Sequence, residues 1–121
     1  MLHSYKELIV WRKSMSLVRE IYRITEHLPA SEQYGLAIQM RRSALSIPAN
    51  IAEGYLRHSR REYVRFVSIA EASAAELETY LCVLKELYPA IPVIPVVVLC
   101  SEVQKMFTAL QRRLRHPNPN P

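Results

Sequence analysis

Ser59-Arg60-Arg61-Glu62-Tyr63-Val64-Arg65-Phe66-Val67-Ser68-Ile69-Ala70-Glu71-Ala72-Ser73-Ala74-Ala75-Glu76-Leu77-Glu78-Thr79-Tyr80-Leu81-Cys82-Val83-Leu84-Lys85-Glu86-Leu87-Tyr88 is the longest unbroken helical pattern in the chain. Ser59, with Glu62 three residues on, has the form of a capping box, in which hydroxyl and carboxylate each answer a loose backbone donor. Behind it Tyr63, Phe66, Ala70, Ser73, Leu77, Leu81, Leu84 and Tyr88 recur at steps of three and four, so they share one face of a helix over about 60–88. A helix of that length with one apolar face is unstable alone and has to be covered by others.

Upstream, Leu36, Met40, Ala44, Ile47 and Ile51 repeat the spacing, which predicts a helix over about 32–54. Pro48 lies inside it and removes one backbone donor, so a kink is expected near Ala44, and Gly54 is placed to end the helix in a left-handed conformation. Further back, Leu8, Trp11, Met15, Val18 and Tyr22 define a first helix over about 5–28, closed by Pro29. A second apolar seam, Leu17, Ile21, Ile24 and Leu28, runs beside the first, so this helix needs two neighbours or a second subunit. Downstream, Pro89 to Ile94 reads as a loop. Pro95 then suits the first turn of a fourth helix over about 95–115, with the stripe Val96, Leu99, Val103, Met106, Leu110 and Leu114. The expectation is an all-α chain: residues 1–115 as a single antiparallel up-down-up-down four-helix bundle, and 116–121 as a disordered Pro- and Asn-rich tail.

Composition agrees. Gly occurs only 2 times in 121 residues, too few for the turns of a β-rich fold. Cys82 and Cys100 lie far apart with no C-x-x-C, so both read as buried apolar residues of a reducing compartment. The N-terminus lacks a signal-peptide layout, and the apolar run over 90–100 is short and broken by prolines. A cytoplasmic protein without a membrane partner is expected.

Lys and Arg number 16 against 11 acids, a formal +5. Alternating helix directions polarise that charge. Lys6, Arg12, Lys13, Arg57, His58, Arg60, Arg61, Arg65, Arg112, Arg113, Arg115 and His116 should share one end of the bundle, and Glu26, Glu32 and Glu86 the other. The nucleic-acid-binding candidates are therefore Arg57, Arg60, Arg61, Arg65, Arg112, Arg113, Arg115, Arg12 and Lys13. Tyr55 and Tyr63 lie close enough to stack on unpaired bases. With no base-reading motif, binding should be led by charge and shape. The competing reading is a solvated basic surface, or one that meets an acidic protein without nucleic acid.

Catalytic readings find little. The residues three before His27, His58 and His116 are Ile24, Tyr55 and Arg113, so the Glu-x-x-His pairs of a di-metal bundle are missing. No arginine stands five to seven positions before a histidine, neither cysteine has a nearby histidine in sequence, and no Gly-rich phosphate loop exists. No catalytic residue, metal or cofactor is expected. Arg41, Arg42, Ser46, Asn50 and Glu53 on the second helix and Ser73 and Glu76 on the third are read as a structural polar network, with Arg and Glu mutually satisfied. The rival reading makes them a ligand pocket.

The runs Glu32-Gln33-Tyr34-Gly35-Leu36, Gln39-Met40-Arg41-Arg42-Ser43-Ala44 and Ser46-Ile47-Pro48-Ala49-Asn50-Ile51-Ala52-Glu53-Gly54 resemble the four-helix-bundle family named after proteins encoded in bacterial 23S ribosomal RNA intervening sequences. Leu8 to Lys13 and Phe66 to Leu77 look like the same family's remaining signatures, so the resemblance covers roughly Tyr5 to Tyr88. Ala72 departs from it, since the family commonly has Gly before that serine. The resemblance implies a bundle that forms ring-shaped homopentamers. It is also similar to the accessory protein of diversity-generating retroelements, a basic pentamer that binds nucleic acid and a reverse transcriptase. A ring would give helix one's second seam a use. The implied partners are further copies of the chain, RNA or DNA, and a nucleic-acid-processing protein; the implied enzymatic activity is none.

Overall fold

A computed structural model describes residues 4–116. Of the expected tail, 117–121 lie outside the described residues. Four helices account for most of the chain: α1 (Ile9–Thr25), α2 (Leu36–Tyr55), α3 (Arg60–Leu87) and α4 (Ile94–Arg115), with single 3-10 turns at Tyr5–Glu7 and Ala30–Glu32. No strand occurs among the described residues.

α2 packs on α1 and α3, and α4 packs on α3 and α1, which closes the four into a bundle. Side chains show the directions. Gly54 meets Phe66 while Ser43 and Ser46 reach Ser73, so α2 and α3 run oppositely. Cys100 lies by Ala74 and Gln111 by Val64, which sets α4 against α3 in the same sense. Lys13 meets Glu102 while Glu7 to Val10 line a groove with Met106 to Arg113, so α1 opposes α4 as well.

The third helix starts as its sequence dictates, with Ser59 Oγ accepting from Glu62 N at 3.2 Å. Helix one is shorter than its periodicity implies. Leu8 is extended, at φ −70° and ψ 129°, and separates α1 from the short turn that Ser4 caps. α2 likewise begins at Leu36 rather than 32, after the 3-10 turn and the link through Gly35.

Pro48 is buried inside α2, which continues through it to Tyr55. Gly54 does not end that helix: no glycine in the described residues has positive φ. Its role is contact. A Cβ there would lie 2.8 Å from Phe66 Cβ and 3.1 Å from Tyr63 Cδ1, so the missing side chain lets α2 and α3 touch beside their turn.

The core also corrects the seams. Of the second seam Leu17, Ile21, Ile24 and Leu28 are all buried, whereas of the first only Val18 is, with Leu8, Trp11 and Met15 half-exposed and Tyr22 exposed. The first seam is therefore the less covered of the two, although Leu8 and Trp11 pack against the core. On α4 the inward row is Val96, Cys100, Val103, Phe107 and Leu110, with Leu99, Met106 and Leu114 flanking it. Phe107 is among the largest fully buried side chains, and burying a group of that size contributes about 1.5–3 kcal/mol. Cys82 is exposed, contrary to expectation, and only Cys100 is buried. Burial, reinforced by Glu78, pushes the Cys100 thiol up to about 12. No described helix is long and apolar enough to cross a membrane.

Candidate nucleic-acid interface

The basic end is assembled by three pieces of chain: the start of α1, the α2–α3 turn with the first turns of α3, and the last turn of α4. At the turn, Tyr55 and Tyr63 meet edge to face with centroids 6.1 Å apart. Tyr63 is half-buried, and that burial, with Tyr55 beside it, holds its phenol above the ordinary range; the charge of Arg113 acts the other way, which places the end of α4 next to the turn. Phe66 receives two guanidinium groups, Arg57 at 4.9 Å and Arg65 at 4.6 Å from its ring centre. Each is also tied locally, Arg57 to Glu53 and Arg65 Nε to Glu62 Oε2 at 2.9 Å. The Arg65 contact keeps the Glu62 carboxyl below the usual carboxylate value.

Arg60, Arg61, Arg112 and Arg113 are exposed and make no side-chain hydrogen bond or ion pair among the described residues. Arg115 differs, because its Nε donates to Gln111 Oε1 at 3.2 Å. Arg61, Arg65 and Arg115 line one cleft of about 580 Å³, together with Glu62, Val64 and Ser68. Arg12 stays beside the start of α1, its Nε donating to the Lys6 carbonyl at 2.9 Å. Lys13 does not join the group: its ammonium lies 3.6 Å from Glu102, roughly 20 Å along α4 from Arg115 at 1.5 Å per residue.

The residues expected to form one polar network separate into several. Ser43 donates to the Ser73 carbonyl at 2.9 Å, the Ser46 and Ser73 hydroxyls meet at 2.7 Å, and Asn50 Nδ2 donates to Ser46 O and Oγ at 2.8 and 3.0 Å. These ties link α2 to α3 through small hydroxyls. Arg41 belongs elsewhere, donating to Thr25 Oγ1 at 3.0 Å with Tyr22 4.9 Å beneath it. Arg42 is exposed with no partner in that network. Glu53 turns to Arg57, and Glu76 accepts from the Tyr80 hydroxyl at 2.9 Å. The structure thus brings no arginine and glutamate together between helices here. Both glutamates find partners four residues on, the nearest neighbours on a helix face, and that spacing was visible in the sequence. Among the described residues, no three His, Cys, Asp or Glu side chains gather where a metal ion could be held.

Sequence reasoning passed over Gln111. It is buried on α4, and its amide nitrogen faces Glu71 Oε1 at 2.8 Å, Ser68 Oγ at 3.0 Å and Val64 O at 3.4 Å. A single amide on an apolar face was its only signal.

A family model described as 23S rRNA-intervening sequence protein matches residues 6–109. The chain belongs to that family. The match runs beyond the motifs around Tyr5 to Tyr88 and takes in most of α4. A solved structure from Bacteroides thetaiotaomicron, described as a protein with unknown function from the S23 ribosomal protein family, is similar in fold: the TM-score is 0.76, with 23% identity over 86% of this chain and 99% of that one. No match was found among curated proteins. The likeness supports the four-helix architecture.

Proposed function

We propose that this chain is a non-catalytic, self-associating protein that binds an RNA or DNA strand through its basic end. The observation that carries the reading is the gathering of Arg57, Arg60, Arg61, Arg65, Arg112, Arg113 and Arg115, every one exposed, around a turn that also presents Tyr55 and Tyr63. Clustered guanidinium groups suit phosphates, and an aromatic pair at their centre suits unstacked bases. Self-association is supported by the less covered seam of the first helix, where Trp11 and Met15 are half-covered and Tyr22 is exposed, and by Ile9 nearby, 66% exposed. The family resemblance points to a pentameric ring and to a nucleic-acid-processing protein as the further partner.

The test is fluorescence anisotropy with labelled single-stranded RNA and DNA across a salt series. Binding is expected at low ionic strength, with log K falling linearly against log salt. The variant Arg57→Glu/Arg60→Glu/Arg61→Glu is expected to lose it while remaining folded. Undiminished affinity in that variant overturns the site. Absence of binding to any strand at low salt, with capture of an acidic protein instead, favours a scaffold that meets protein alone.

A further inference from the structure

Two arginines in the α3–α4 cleft are held by their Nε atoms, Arg65 by Glu62 at 2.9 Å and Arg115 by Gln111 at 3.2 Å. Tethering at Nε leaves the terminal amino groups of each fork for a ligand. Arg61 lines the same cleft, exposed and near enough to act on the Glu62 carboxylate by charge, with no side-chain hydrogen bond or ion pair of its own among the described residues. Three guanidinium groups against the one carboxylate of Glu62 leave an excess of positive charge in a concave site of about 580 Å³.

Gln111 is what makes the arrangement directional. Its nitrogen has three acceptors on α3, and its oxygen faces Arg115. Reversing the amide would set its oxygen against the Glu71 carboxylate and the Val64 carbonyl, so one orientation is fixed. At 8% exposure the side chain is nearly sealed between the helices, where an apolar residue would fill the seam without any polar group to satisfy. The amide adds aim: it presents an acceptor to Arg115 and turns that side chain along the cleft.

We infer that this cleft is a phosphate-binding subsite in which Arg61, Arg65 and Arg115 hold one phosphate group, and that Gln111 is the positioning residue for Arg115. The inference rests on the reading of the basic end as a nucleic-acid interface and narrows it to one place between α3 and α4. The phosphate can belong to the interior of a strand or to its 5′ end; the chemistry recognised is the same.

The probe is inorganic phosphate, titrated into the full chain while arginine Nε–Hε resonances are followed by NMR. Arg61, Arg65 and Arg115 are expected to move together along one saturating curve, with Arg57 and Arg60 moving much less. Equal, unsaturating shifts across all arginines mean diffuse counterion attraction and overturn the subsite. Gln111→Met keeps the volume and removes the acceptor. It is expected to keep the thermal midpoint within a few degrees, to shift the Arg115 resonance before any phosphate is added, and to weaken phosphate binding roughly fivefold to tenfold. Unchanged affinity overturns the positioning role. Oligonucleotides with a 5′-phosphate or a 5′-hydroxyl separate the two sources. If Arg115→Ala abolishes a preference for the phosphorylated end, the group is terminal; if it weakens both equally, the group is internal; if it weakens neither, the subsite is wrong. Saturable phosphate binding in a chain that binds no RNA or DNA at low salt would leave the subsite standing and remove the nucleic-acid reading.

Discussion

Where α1 turns into α2, the helix ends are closed by side chains. Gln33 Nε2 donates to the carbonyls of Thr25 and Leu28, at 3.1 and 2.9 Å, where the chain leaves α1 and helical partners run out. Arg41 reaches the Thr25 hydroxyl, and the Tyr88 phenol donates to Glu32 at 2.7 Å, joining the α1–α2 and α3–α4 loops. At the opposite end the arginines are exposed and hydrogen-bonded or ion-paired only to near neighbours in the chain, where they are paired at all, and Gly54 packs on Phe66 beside the α2–α3 turn. One end uses its polar groups to finish the fold. The other adds packing to its local ties and leaves four arginines without a side-chain hydrogen bond or ion pair among the described residues.

That contrast can be broken at several strengths. Phe107→Ala, in the core between the ends, is expected to cost about 3–5 kcal/mol and to weaken both together, as read by urea denaturation. Gly54→Ala should cost about 1–3 kcal/mol, because Cβ meets Phe66 at 2.8 Å, although Ala in place of Gly inside an open helix gains about 1 kcal/mol. A net gain would mean that the two helices separate easily there. Gln33→Ala removes the donor to the Leu28 carbonyl and one of two donors to that of Thr25, and should cost about 1–2 kcal/mol, with strand affinity unaltered. Arg60→Glu/Arg61→Glu should change stability by no more than about 0.5 kcal/mol, and favourably, since acids suit a helix N-terminus, while strand binding falls.

The smallest effect separates two tyrosines. Both titrate above the usual value, Tyr88 chiefly through its bond to Glu32 and Tyr63 chiefly through burial. In each case the folded state favours the protonated phenol. The stabilisation is therefore complete below the unfolded value of about 10 and is lost as pH climbs past it. Glu32→Ala should lower the Tyr88 titration followed at 295 nm and leave Tyr63 where it was.

The helices were legible because their signals are local. Ser59 with Glu62, and the three-four spacing through Leu84, concern residues one turn apart, and α3 forms where they say. The seams were harder. Val96 to Cys100 is apolar on every side, so nothing in the sequence separates a row through Phe107 from one through Met106; the neighbouring helices decide it. The same holds for α1, where two adjacent seams compete and the interior takes the one with Leu17 and Ile21. Gly54 looked like a helix terminator because its use depends on Phe66 across the interface. At the basic end, helix directions put most of the arginines together from sequence alone, whereas Lys13 was lost to Glu102 on another helix and Gln111 became meaningful only once Glu71 and Arg115 stood on either side of it.

The unequal cysteines have a practical consequence. Cys100 is sealed and its thiol is pushed up to about 12, while Cys82 is exposed on α3, about 30 Å along the helix from Arg61 at 1.5 Å per residue. A maleimide dye added near neutral pH should therefore attach to the natural sequence at one known point, remote from the arginines. Energy transfer between donor- and acceptor-labelled copies would then report whether chains associate, and the same samples could be examined with and without added RNA or DNA.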